Sequence, residues 1–174
     1  MALRYRRVVV IGICGAGKST LSRRLAPTMS LPLIELDRHH WKPGWRETPR
    51  EEWRDSVRGL VAADAWVMDG NYTGSLDIRL PRADAIVWLD YSRVRCIRRV
   101  LRRVWRNYWR TREGMPEGCP ERLDFEFLIY IWTFQRRVCP RIERAIAEYG
   151  NHARLFPIIG DAEWGPLVAA LTAA

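Results

Sequence analysis

Lysine is almost absent: Lys18 and Lys42 stand against 27 arginines in a chain of 174 residues. Acids are also the minority, 20 Asp and Glu against 29 Lys and Arg, for a formal net charge of +9. Genome composition alone can trade lysine for arginine, yet the surplus of fixed positive charge favours anionic partners: nucleotides, phosphorylated metabolites or nucleic acid. No apolar run reaches 18 residues, which speaks against a membrane span. MALRYRRVVVIG leads into a glycine turn without a small-residue cleavage site, so a secretory leader is not expected and a cytoplasmic protein is. The four cysteines, Cys14, Cys96, Cys119 and Cys139, show no C-x-x-C spacing and no histidine cluster beside them. That speaks against a zinc site or redox pair and leaves reduced thiols. His39 and His40 are adjacent, so on a regular element they would not converge on one metal. There is no internal repeat and no low-complexity tail.

What the chain does have is 48% hydrophobic and 28% charged residues, enough to bury a core as a single domain over 1–174. Residues 7–13 (RVVVIGI) form a continuous β-branched run that predicts a buried parallel strand. A helix is predicted over 17–29, a second strand over 32–37, and a Trp-, Pro- and Gly-rich loop over 39–47. Thr48, Pro49 and Glu51 have the form of a capping box opening a helix to about residue 63. Further strands are expected over 65–70, 83–90 and 153–160. Helical patterns cover about 92–110, about 121–149 (kinked or split at Pro140) and about 162–172. The connector REGMPEGCP, 112–120, has no apolar period. Strands alternating with helices predict a doubly wound α/β sheet, whose ligands sit beyond the carboxyl ends of the strands. Asp37, Asp69 and Asp90 end three of these strands and should face one crevice.

Gly12-Ile-Cys-Gly15-Ala16-Gly17-Lys18-Ser19 fits G-x-x-x-x-G-K-[ST] at every fixed position. Glycines let successive N–H groups face a triphosphate, and the helix N-terminus that follows adds its dipole. Gly12 through Thr20 are therefore the predicted cradle, with Lys18 on the β- and γ-phosphates and Ser19 on Mg²⁺. Asp69, ending AWVMDG, is placed to support the metal through water, or else serves as a turn former.

With these motifs the chain resembles P-loop kinases of the adenylate-kinase-like group. LPLIELDRHHWKPGW (31–45), WVMDGNYTGSLDIRLPRADAIVWLD (66–90) and GCPERLDFEFLIYIW (118–132) resemble the DNA topology modulation protein family. The resemblance implies a three-layer P-loop fold with strand order 2-3-1-4-5, an acceptor site near strands two and three, and a helical lid after strand four, about 98–122. It implies ATP as donor; Gly160-Asp161 after the fifth strand does not by itself distinguish ATP from GTP. Asp37 is then beside the acceptor, to orient a hydroxyl or take its proton; a phosphate acceptor would need arginines instead. Asp69-Gly70-Asn71-Tyr72 resembles the acceptor-binding turn of nucleoside monophosphate kinases. Those often continue Phe-Pro-Arg where this chain has Asn-Tyr-Thr, which counts against such an acceptor, and Arg79 is the expected replacement cation. Trp41 and Trp45 could stack on a planar acceptor, close a pocket, or anchor their loop to the core.

SRVRCIRRVLRRVWRNYWRTR, 92–112, holds nine arginines and no acid, with apolar residues at 94, 97, 101, 104 and 108. A lid could swing these arginines onto transferring phosphates. The alternatives are a nucleic-acid surface using Trp105, Tyr108 and Trp109 for stacking, or a plain solvated face. Arg99 and Arg103, one turn apart, are the first choices for the phosphates; Arg98 and Arg102 have nearly the same claim, and Arg112, Arg136 and Arg137 could approach from beyond. The expected protein is an ATP–Mg²⁺-dependent kinase of a small molecule, without a membrane partner. A nucleic-acid-associated ATP-binding protein and a slow ATPase switch are the alternatives.

Overall fold

The structure, a computed structural model, describes residues 4–173. In chain order its elements are β1 (Arg7–Gly12), α1 (Lys18–Thr28), β2 (Leu33–Glu35), α2 (Leu36–His40), β3 (Trp41–Lys42), β4 (Arg46–Glu47), α3 (Arg50–Val61), β5 (Trp66–Asp69), α4 (Leu76–Arg79), β6 (Ala85–Leu89), α5 (Arg93–Arg106), α6 (Phe125–Arg137), α7 (Cys139–Tyr149), β7 (Arg154–Ile158) and α8 (Trp164–Thr172). Five strands form one parallel sheet in the order β2-β5-β1-β6-β7. Because β3 and β4 pair only with each other, the sheet strands counted along the chain run 2-3-1-4-5.

The central position of β1 follows from its side chains. Val8, Val9, Val10 and Ile11 are fully buried, as a strand with parallel neighbours on both sides requires. Its register sets Val10 opposite Asp69 and Gly12 opposite Leu89, so the ends of β1 and β5 lie side by side. Leu21 and Leu25 of α1, and Cys96, Val100 and Val104 of α5, close the core around the sheet.

Several local expectations shift. The second strand stops at Glu35, and Asp37 falls in the first turn of α2 rather than at a strand end. The 39–47 loop contains the antiparallel hairpin β3-β4. Thr48 does not cap α3: its hydroxyl donates to the His40 carbonyl at 2.7 Å, and Pro49 is the N-cap, without a side-chain bond. The long pattern after 121 breaks at Val138, with Pro140 in the first turn of α7, where its missing N–H costs least.

In α5 the buried stripe is Cys96, Val100 and Val104, whereas Val94 and Leu101 of the expected stripe are exposed. The connector after α5 folds back over the hairpin. Gly44 N–H donates to Gly118 O at 2.8 Å, and Trp45 Nε1 donates to Pro120 O at 3.0 Å.

Candidate active site

The loop between β1 and α1 is a bend that only glycine satisfies at its start. Gly12 has φ +142°, and a Cβ there would lie 2.2 Å from the Leu89 carbonyl oxygen on β6. Its N–H donates to Asn71 Oδ1 at 2.8 Å, which ties this loop to the loop after β5. Gly17, at φ +100°, is the N-cap of α1 and offers no side-chain acceptor to the helix's first N–H groups. Those donors are the ones an anion would take. Lys18 is folded over the loop, its Nζ donating to Gly12 O at 2.9 Å and Ile13 O at 3.3 Å.

Gly15, Gly17, Lys18, Ser19 and Thr20 line a cavity of about 1150 Å³, which Asp37, Trp41, Trp45, Asp69, Gly70, Asn71, Arg99, Arg103 and Arg112 also line. Gly12 and Ala16 are behind this wall and shape it through the backbone.

Asp69 is buried beside Lys18, and its Oδ1 has no protein partner. Desolvation pushes its carboxyl up to about 6, against the pull of Lys18 and the Ser19 hydroxyl. Among the described residues no group of three or more His, Cys, Asp or Glu could hold a metal by itself. One hydroxyl and one carboxylate with a free oxygen instead fit Mg²⁺, which takes few protein ligands and completes its shell with water and phosphate.

Across the cavity, Asp37 is held from two sides. Tyr72 donates its hydroxyl to Oδ1 at 2.6 Å, and Arg112 donates to Oδ2 at 3.1 Å. Tyr72 has φ +31° and packs with His40 and Trp53, ring centroids 4.5 and 4.9 Å away. Burial and the Asp37 charge raise its phenol far above the ordinary range. Arg112 also pairs through Nε with Glu121 Oε1 at 2.8 Å, and Arg103 meets the same oxygen at 3.1 Å. Glu121, only 3% exposed, therefore gathers one arginine from α5 and one from the start of the connector. Burial and Arg112 lower the Arg103 pKa against the pull of Glu121.

Arg99 and Arg103 flank the buried stripe of α5 and line the cavity, whereas Arg98 and Arg102 are exposed. Arg112 also lines it; Arg136, Arg137 and Asp90 do not. Arg79 is a correction. It is fully buried and donates to the carbonyls of Gly70 (2.9 Å), Asn71 and Tyr72 (3.2 Å), clamping that loop from beneath with no access to the cavity. Burial lowers its pKa to about 10. Trp41 and Trp45 pack edge to face with centroids 5.3 Å apart, and Trp45 is also tied to the connector, so anchoring and lining are both realised.

Sequence reasoning missed a second network beside Gly17. Asp161 accepts from Tyr91 at 2.9 Å, Arg95 at 2.5 Å and Arg99, and Trp164 Nε1 donates to the Tyr91 hydroxyl at 2.8 Å. The Trp164 ring lies 3.2 Å from where a Cβ on Gly17 would be. Gly160-Asp161 was the only sequence signal for it. Glu121 was missed as well, an acid after an arginine-rich stretch being the available hint, and Tyr72, named within the Asp69–Tyr72 turn, was not paired with Asp37.

No protein-family model matches the sequence, and no curated protein does. Solved structures do match over nearly the whole chain. A shikimate kinase from Acinetobacter baumannii in complex with shikimate has 14% identity and a TM-score of 0.59, covering 95% of this chain and 92% of that one. A gluconokinase from Sinorhizobium meliloti 1021 has 17% identity and a TM-score of 0.55, covering 96% and 93%. A shikimate kinase from Bacteroides thetaiotaomicron has 17% identity and a TM-score of 0.53, covering 96% of each. At these identities the likeness is one of fold: a five-stranded parallel sheet with helices, the P-loop α/β architecture of these small-molecule kinases.

Proposed function

We propose that the protein is a kinase that transfers the γ-phosphoryl group of ATP to a hydroxyl group of a small molecule. The observation that carries this reading is the placement of the Asp37 carboxylate in the same cavity as Lys18, Ser19 and Asp69, held there by Tyr72 and Arg112. A cavity of about 1150 Å³ is large enough for a nucleotide and an acceptor together.

The loop from Gly12 to Thr20 cradles the triphosphate through backbone N–H groups, and Lys18 leaves the loop carbonyls for the β- and γ-phosphates. Ser19, and Asp69 through water, would hold Mg²⁺, which would supply charge neutralisation on the phosphate oxygens when bound. Asp37 orients the acceptor hydroxyl and takes its proton as the new O–P bond forms and the bond from the γ-phosphorus to the bridging oxygen breaks, releasing ADP. Arg99, Arg103 and Arg112 neutralise charge on the transferring group, and the segment of about 98–122 acts as a lid that excludes water. Trp45, Gly70 and Asn71 shape the acceptor side. Arg79 serves it only by holding the 70–72 carbonyls.

The test is ADP release from Mg-ATP with a panel of hydroxylated acids and polyols, headed by shikimate and gluconate, and with nucleosides and nucleoside monophosphates. One compound should accelerate release, and Lys18→Ala should abolish it. Asp37→Asn should lower kcat for a hydroxyl acceptor by at least about a hundredfold. No acceleration by any compound would refute the reading. The resemblance to DNA topology modulation proteins supports a nucleic-acid-associated ATP-binding protein as the second reading. Exposed Trp105, Tyr108 and Trp109 beside arginines are its basis.

A further inference from the structure

The face of α5 and α6 that points away from the cavity is apolar, and none of the described residues covers it. Trp105 is 85% exposed, Phe125 71% and Ile129 59%, with Val94, Leu101 and Trp132 also exposed. On α5, residues 94, 101 and 105 recur at helical spacing; on α6, 125, 129 and 132 do the same. The helices pack together, and the Arg93 guanidinium lies 4.2 Å above the Trp132 ring, so the start of α5 meets the later half of α6 and the two stripes adjoin. Six such side chains expose on the order of 500 Å² of apolar surface, as much as the largest patch of an ordinary monomer.

The patch is ringed by positive charge. Of the seven arginines in α5, Arg95, Arg99 and Arg103 are committed to Asp161 and Glu121, and Arg93 to Trp132. Arg98, Arg102 and Arg106 are exposed, and no ion pair engages them among the described residues. Arg136 and Arg137 close α6, whose only acid is Glu126.

We propose that this face docks on the surface of an anionic lipid bilayer, with the six apolar side chains entering the headgroup boundary and the arginines meeting lipid phosphates. Charge complementarity selects this occupant. A second copy of the chain would bring two arginine-rich faces together, which costs affinity. Nucleic acid would use the arginines and the tryptophans but gains nothing from exposed Val94, Leu101 and Ile129, which cannot stack as aromatic rings do. A surface with aliphatic and aromatic residues inside a basic rim has the composition of interfacial membrane contacts. Docking of this kind needs no spanning helix, and no described helix is long and apolar enough to span.

The experiment is co-sedimentation of the full chain with vesicles of phosphatidylglycerol and phosphatidylcholine, against phosphatidylcholine alone. Binding to the anionic vesicles only, weakening with salt, is expected. Arg98→Glu, Arg102→Glu and Arg106→Glu together should lower partitioning by at least roughly a hundredfold, at about fivefold for each arginine lost. Leu101→Ser with Ile129→Ser should also weaken it at least about tenfold. Brominated lipid should quench a tryptophan signal that Trp105→Ala diminishes. All six positions are exposed, and a thermal melt checks each variant; the lipid comparison on the unaltered chain stands without them. Absence of binding to the anionic vesicles overturns the proposal. So does vesicle binding that Leu101→Ser with Ile129→Ser leaves intact while an oligonucleotide displaces the protein, which assigns the face to nucleic acid. A dimer that the same serine variant dissociates, without vesicle binding, assigns it to a second copy.

Discussion

Replacing Arg79 by methionine separates two roles that the sequence cannot distinguish. As an acceptor-binding cation, Arg79 would be dispensable for folding and essential for turnover. The structure places it instead under the loop after β5, donating to the carbonyls of Gly70, Asn71 and Tyr72. Methionine fills much of the same volume and removes the cost of burying a charge, but it leaves the Gly70 and Asn71 carbonyls without their donors, while the Tyr72 carbonyl keeps Ser75. Each buried acceptor left unpaired costs about 1–3 kcal/mol, so a net loss of about 3 kcal/mol is expected after the relief of charge burial. In a chain of this length that is a fall in Tm of roughly 6–12 °C. Urea denaturation and a thermal melt at pH 7 measure it. Because Asn71 Oδ1 also accepts from Gly12 N–H, nucleotide affinity should weaken alongside stability. A variant that melts within about 2 °C of the parent, yet has lost acceptor-dependent ADP release, would refute the clamp and restore the guanidinium to the substrate.

Asp69→Asn should raise stability at pH 7 by up to about 3 kcal/mol, measured by urea denaturation. Its carboxyl is pushed up to about 6 in the fold, so the native state holds the proton more tightly than the unfolded chain. The parent should therefore lose stability as pH rises from about 4 to about 6, and the gap to the variant should close below pH 4. Gly12→Ala should cost at least about 3 kcal/mol, read as a lower melting temperature, because the added Cβ would lie 2.2 Å from the Leu89 carbonyl oxygen at a φ of +142°. Glu121→Ala should destabilise by about 3 kcal/mol in urea, since it leaves Arg103 and Arg112 adjacent without their shared carboxylate.

Where the chain's chemistry is periodic or local, it is readable from residues alone. The β-branched run of β1 and the glycine pattern after it mark the sheet centre and the cradle, since steric demands at each position admit few residue types. The split at Pro140 is equally local. The stripe of α5 is different. Val94 and Leu101 satisfy helical spacing as well as Cys96 and Val100 do, and only the direction from which the sheet approaches decides which set is buried. That same rotation selects Arg99 and Arg103 over Arg98 and Arg102 for the cavity wall. Arg79 was misplaced for a related reason: a cation near an expected acceptor turn looks the same in sequence whether it lies above the loop or beneath it. The contact of Tyr72 with Asp37 joins residues 35 apart and that of Arg112 with Asp37 residues 75 apart, so neither carries a local pattern, and the choice of Arg103 and Arg112 by Glu121 depends on how the connector folds back.

Four of the cavity's cations already have partners, whereas Arg122 and Arg141 line it with no ion pair among the described residues. Lys18 sits on loop carbonyls, Arg99 on Asp161 and Ala16 O, Arg103 on Glu121, and Arg112 on Glu121 and Asp37. A triphosphate that engages Lys18, Arg99, Arg103 or Arg112 exchanges partners with it, so the net gain from these four is smaller than their count suggests. The arrangement also gives selectivity a physical basis. In the proposed reaction Arg112 joins Asp37, on the acceptor side, to Glu121, which holds Arg103 on the donor side. On the proposed reading, an acceptor hydroxyl that takes the place of Arg112 on Asp37 Oδ2 frees the arginine toward the phosphates, while Tyr72 keeps Oδ1. The proposed function then predicts acceptor-dependent turnover with little ATP hydrolysis in the acceptor's absence, and it ties that chemistry to one arginine on the connector.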